Sequence, residues 1–142
     1  MSATFKDIGV SSEGHVGIVE IQRPPHNFFD NSLINQIADA FEAFDKDANI
    51  RAYVLCAQGK SFCAGADFAN RPQTGAAESG KHLYKEATRL FRSRKPSVGA
   101  IQGPAIGGGP SALVRSGQMI LATAQVVSQP ECSFCTIGPA AA

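Results

Sequence analysis

Two short stretches of this chain leave the backbone unusually bare. Gln102-Gly103-Pro104-Ala105-Ile106-Gly107-Gly108-Gly109 ends in three consecutive glycines, and Phe62-Cys63-Ala64-Gly65-Ala66-Asp67 is small at most positions. Glycine accepts positive φ, so successive N–H groups can be turned to one side. Where such a loop leads into a helix, the unpartnered N–H groups and the helix dipole point together. The chemistry this allows is the holding of negative charge: a phosphate, a carboxylate or a developing oxyanion. Each stretch taken alone also fits a tight, close-packed turn. A further spacing, Cys132-Ser133-Phe134-Cys135, resembles half of a zinc or redox motif. No His follows it, so no metal site is expected.

The elements that must hold the two loops can be read from periodicity. Phe5 to Val10 and His15 to Ile21 alternate apolar and polar around a turn cluster at Ser11-Ser12-Glu13-Gly14, which predicts an antiparallel hairpin. Arg23-Pro24-Pro25 ends it, because proline cannot continue a ladder. Asp30, Asn31 and Ser32 offer helix caps, and Leu33, Ile34, Ile37, Ala38, Phe41 and Phe44 recur at helical spacing. The spacing predicts a helix over 31–46, with His26 and Asn27 as hydrogen-bonding loop residues before it. Ala52 to Ala57 is an unbroken apolar run, as in a strand covered on both faces.

After the first small-residue loop, residues 70–80 carry loop composition. Leu83, Ala87, Leu90 and Phe91 then mark the core face of a helix over about 78–93. Lys81, Lys85, Arg89, Arg92, Arg94 and Lys95 give it a basic side, read as a solvated face with cations at a helix C-terminus or as the neighbour of a phosphate-bearing ligand. Lys95-Pro96 stops that helix, and Ser97 to Ile101 is a short apolar strand leading into the glycine loop. Strand, small-residue loop and helix thus occur twice in succession. That repetition predicts an α/β fold with two N–H-rich turns hanging from neighbouring strand ends.

Composition excludes several classes of function. The chain has 142 residues, a formal net charge of +1 and 18% charged residues. That suits one soluble domain and gives no electrostatic reason to expect nucleic acid or a membrane surface. No apolar run approaches the roughly 20 residues of a membrane helix. The N-terminus lacks a signal pattern, so a cytoplasmic setting with free thiols is expected.

The two loops, in this order and spacing, resemble the crotonase family of enoyl-CoA hydratases and isomerases. Residues 15–109 carry the likeness, through Ile21-Gln22-Arg23-Pro24, Ser61 to Asp67, and Lys95-Pro96 leading into Gly103 to Gly109. The resemblance implies a spiral of ββα units, here truncated, as one incomplete domain over 1–142 with a divergent tail at 110–142. It implies stabilisation of the enolate oxygen of an acyl-CoA thioester by the N–H groups of Ala66 and Gly108. It also implies coenzyme A contacts around Ala64, Gly65, Asp67 and Gly107, with Asp67 holding its loop. Coenzyme A is part of the substrate, so no separate cofactor is implied. A homotrimer or dimer of trimers is implied for a full-length relative.

Hydratases of this family commonly use two glutamates. By resemblance the second falls on Glu131, in Gln129-Pro130-Glu131, and Glu131 is the expected base. The first falls on Ser111, which cannot exchange protons like a carboxyl near neutral pH. One-base chemistry, such as double-bond migration, needs Glu131 alone. Pro110 and Gly117 also depart from the family pattern. The alternative function is a truncated, non-catalytic coenzyme A-binding protein. A nucleotide-phosphate loop is disfavoured, because no Lys-Ser/Thr follows Gly109 and no Gly-x-Gly-x-x-Gly occurs there.

Overall fold

The computed structural model describes residues 5–66, 87–106 and 119–122. The described residues form a five-stranded sheet in the order β1 (Ile8–Glu13), β2 (Val16–Ile21), β3 (Ala52–Ala57), β4 (Ser97–Ala100) and β5 (Met119–Ala122). β1 and β2 are an antiparallel hairpin, and every later pairing is parallel. Parallel neighbours need a crossover, and α1 (Asn31–Lys46) supplies the one between β2 and β3. Among the described residues, no helix is long and apolar enough to cross a membrane.

The hairpin differs from the expected one at its turn. Ser11, Ser12 and Glu13 are strand residues paired with Ile18, Gly17 and Val16, and the reversal is made by Gly14 and His15, with Gly14 at φ +57°. Their polarity does not prevent pairing, because β1 is an edge strand and its outer half is exposed. The strand over Ala52–Ala57 and the helix over 31–46 fall where periodicity puts them.

α1 starts at Asp30, whose Oδ1 accepts from the Leu33 N–H at 2.8 Å. A cap of this kind is worth about 1 kcal/mol. Its apolar stripe (Leu33, Ile34, Ile37, Ala38, Phe41, Phe44) is buried. Phe41 and Phe44 lie against Tyr53 of β3, with ring centroids 4.4 and 5.9 Å apart. Burial pushes the Tyr53 phenol up to about 12, partly opposed by its hydrogen bond to the Ser93 hydroxyl.

The basic segment before β4 is a structural one where it is described. Arg89 pairs with Asp39 at 2.6 Å and Glu42 at 2.9 Å on α1. Lys95 Nζ donates to the carbonyls of Phe44 and, at 2.6 Å, Asp47, so a cation from elsewhere in the chain closes the α1 C-terminus. The helix is seen at 87–90 and passes into a turn at 91–92, which leaves Phe91 exposed rather than in the core. Its earlier part, with Leu83, Lys81 and Lys85, lies outside the described residues.

Arg23 ties the hairpin to the helix. Its guanidinium meets Asp7 Oδ2 at 2.7 Å and Asp30 Oδ2 at 2.8 Å. Asp7 also accepts from Gln36 Nε2 at 2.7 Å. The Arg23 hydrogen bond, aided by Gln36 and opposed by burial, holds the Asp7 carboxyl below its usual range. A depressed carboxyl contributes stability that is complete above its unfolded pKa, about 3.9, and lost as pH falls through the folded value. Asp7→Asn is therefore expected to lower stability at neutral pH by about 1.5–3 kcal/mol and to flatten the acid limb below about pH 4. Denaturant unfolding at pH 7 and at pH 3 measures both; an acid limb as steep as in the parent chain contradicts the assignment.

Candidate active site

β3 and β4 are parallel neighbours in register, Tyr53 opposite Ser97 and Leu55 opposite Gly99. Their C-terminal ends therefore open on the same edge of the sheet, and the two small-residue loops leave from that edge. In open α/β sheets this is the edge where ligands bind.

The first loop is held from one side by the 23–29 segment. Lys60 and Ser61 donate to the Pro25 carbonyl at 3.2 and 3.3 Å, and Ala64 donates to that of His26 at 2.9 Å. Phe29 N–H donates to the Gly65 carbonyl at 2.9 Å, beside a parallel bridge between Phe29 and Ala66. Asn27, fully buried, donates from Nδ2 to the carbonyls of Gln58 and Ser61 at 2.6 and 2.7 Å. It is the hydrogen-bonding loop residue expected of it. The Arg23-Pro24-Pro25 stretch thus does more than end a strand. Its sequence signal is slight: proline loses the N–H donor and keeps a carbonyl acceptor like that of any residue.

From the other side the first loop is laced to the second. The Phe62 and Cys63 N–H groups share the Pro104 carbonyl at 3.0 and 3.3 Å, and Ile106 N–H donates to the Cys63 carbonyl at 2.8 Å. Cys63 and Ala105 form a parallel bridge. Gln102 Nε2 reaches the carbonyls of Gly59 and Ser61 at 3.2 and 3.4 Å. A Cβ on Gly103 would stand 2.2 Å from the Lys60 carbonyl oxygen, so only glycine allows this approach. Gly65 sits at φ +102°, with the Ile106 carbonyl 3.6 Å from where a Cβ would be.

These bonds occupy the N–H groups of residues 60–64, and Ala66 is different. Among the described residues, its N–H is bonded to no acceptor. Of the residues expected to form a site, Ala64, Gly65 and Ala66 are brought to this edge. The Ala64 N–H and the Gly65 carbonyl are already used within the fold. Asp67, Gly107, Gly108, Ser111 and Glu131 lie outside the described residues, as do Cys132 and Cys135. Burial raises the Cys63 thiol above its ordinary value, against the opposing Gly65 N–H. Cys63 is thus held neutral and is no thiolate nucleophile at pH 7. Among the described residues, no three His, Cys, Asp or Glu side chains cluster as a metal site.

Comparison with known proteins bears on what this edge is for. The profile of a family described as enoyl-CoA hydratase/isomerase matches residues 11–142. The chain belongs to the enoyl-CoA hydratase/isomerase family. Among its relatives, "Probable enoyl-CoA hydratase echA6" of Mycobacterium tuberculosis is 37% identical over 103 residues, covering 72% of this chain and 41% of that one. "Probable enoyl-CoA hydratase, mitochondrial" of Dictyostelium discoideum is 29% identical over 127 residues, 88% of this chain and 46% of that one. A solved enoyl-CoA hydratase subunit I of Geobacillus kaustophilus superposes with a TM-score of 0.78 at 29% identity, over 89% of this chain and 50% of that one. The fold is the crotonase fold, in part. The chain spans less than half the length of these curated relatives.

The close approach at Gly103 is testable against another glycine. Gly103→Ala drives a methyl into backbone and is expected to cost about 1–3 kcal/mol. In Gly9→Ala the nearest atom, 2.6 Å away, is the far end of the Gln22 side chain, which can move. That change is expected to stay within about 0.5 kcal/mol. Thermal melts of the two variants measure the contrast; equal stabilities contradict the described lacing of the loops.

Proposed function

We propose that this edge polarises the carbonyl of an acyl-CoA thioester and stabilises the enolate formed from it. The Ala66 and Gly108 N–H groups are the donors in this reading. The observation that carries it is the direct lacing of the two loops, Ile106 N–H to Cys63 carbonyl at 2.8 Å beside the Cys63–Ala105 bridge. Donors fixed before charge appears need no reorganisation, and one such donor is worth about 2.7–4 kcal/mol of barrier.

A polarised thioester makes the neighbouring C–H more acidic, so a carboxylate is base enough. Glu131 takes that role here, removing a proton from the α-carbon and returning it there or, where a β,γ-double bond is conjugated, at the γ-carbon two bonds along. With Ser111 in place of a second carboxyl, double-bond migration is the simpler outcome and hydration the more demanding one. Coenzyme A is held along Ala64 to Asp67 and at Gly107 through backbone groups. The Ala64 carbonyl is the acceptor there, since its N–H is already bonded to His26. Coenzyme A comes as part of the substrate, with no separate cofactor. A cytoplasmic role in fatty acid metabolism, and the homotrimer or dimer of trimers of full-length relatives, belong to the same reading.

Proton exchange isolates this chemistry from the complete reaction. The 142-residue chain is expected to exchange the α-protons of butyryl-CoA with D2O, followed by NMR. Glu131→Gln is expected to slow that exchange by about 10²–10⁴-fold while calorimetric binding persists. Unchanged exchange in Glu131→Gln removes Glu131 from the mechanism. Binding without exchange in the parent chain leaves a coenzyme A-binding protein with no catalytic role.

A further inference from the structure

We propose that Asn27 is a positioning residue for the oxyanion site, a buried side chain that sets the first loop before substrate arrives. The inference rests on the reading of Ala66 as an oxyanion donor. Asn27 is fully buried and sits at φ +51°, a left-handed backbone that few side chains tolerate and Asn tolerates best. Its amide group is fully engaged. Nδ2 donates to the carbonyls of Gln58 and Ser61, and Oδ1 accepts from the Arg23 N–H at 2.9 Å.

Those three partners are not a random set. Arg23 follows the end of β2, Gln58 follows the end of β3, and Ser61 opens the loop that carries Ala66. One side chain thus fixes the exits of two neighbouring strands relative to each other. From Ser61 the constraint passes directly into the lacing, because the next two N–H groups, on Phe62 and Cys63, are those bonded to Pro104. All the partners are backbone atoms, so no compensating side-chain change can replace Asn27.

Residue chemistry narrows the position further. Asp keeps the acceptor for Arg23 but aims a carboxylate at two carbonyl oxygens. Gly keeps the backbone conformation and removes all three bonds. Leu would strip the Arg23 N–H and the Gln58 carbonyl of these bonds and leave the Ser61 carbonyl only the 3.4 Å contact from Gln102. Asn27 is not part of the reacting constellation itself; it acts through the loop. A preorganised donor is effective only where it is held, and a misplacement of about 1 Å can cost on the order of 10²-fold.

The test uses 4-dimethylaminocinnamoyl-CoA, whose absorption moves to the red when its thioester carbonyl is polarised. The parent chain is expected to shift it. Asn27→Gly and Asn27→Asp are expected to lose at least half of that shift, with dissociation constants for butyryl-CoA within about threefold of the parent. Hydrogen exchange by mass spectrometry is the second measurement. In Asn27→Gly, peptides over 58–66 are expected to exchange at least tenfold faster while those of β2 and β3 stay protected. A full red shift in both variants overturns the proposal and leaves the oxyanion reading intact. Loss of protection across the whole sheet also overturns it, since Asn27 is then a residue of general stability. No red shift with the parent chain removes the oxyanion reading, and this proposal with it.

Discussion

Pro104 has no N–H to contribute, yet its carbonyl accepts from both Phe62 and Cys63. That shared acceptor, with the return bond from Ile106 to Cys63, joins two loops separated by about forty residues of chain. The joint can be this close only because Gly103 has no Cβ to meet the Lys60 carbonyl. It uses backbone atoms on both sides, so its geometry depends on the strands from which the loops hang. Everything functional in the account needs the loops to arrive at the same place in the same orientation.

The sheet supplies that arrival. Parallel pairing of β3 with β4 puts both strand ends on one edge, and α1 is the crossover that makes parallel pairing possible between β2 and β3. α1 is in turn fixed at both ends by distant residues. Arg23 holds its Asp30 cap, and Lys95 closes its last carbonyls. The segment from Arg23 to Phe29 therefore has two tasks at once. Its Arg23 guanidinium anchors helix to hairpin, and its carbonyls and Asn27 brace the first loop.

What could be read from sequence was what is local and periodic. The apolar recurrence from Leu33 to Phe44 and the cap at Asp30 define α1 from Asn31 to Lys46, and the apolar run of β3 is equally plain. Ser11 to Glu13 misled because polarity resembles a turn, whereas an edge strand with solvent beside it accepts polar residues. The basic residues before Pro96 could not be assigned from their charge alone. Arg89 and Lys95 find their partners on α1, some fifty residues earlier. Asn27 was legible as a hydrogen-bonding loop residue, but its acceptors are backbone carbonyls across a chain gap, where no periodicity operates. The bare loops were legible as two features, and their lacing required the fold. Gly108 and Glu131 are proposed on family likeness and on the position of the first loop.

The most direct test looks at the donors themselves. In an ¹⁵N-labelled sample of this chain, acetoacetyl-CoA, a resonance-stabilised mimic of the enolate, is added and the amide protons of Ala66 and Gly108 are followed. The account predicts that both move downfield together at one binding constant, as charge-assisted hydrogen bonds form to a single oxygen. If the ligand binds while either amide stays where it was, the two loops do not meet at one thioester oxygen, and the central claim is contradicted.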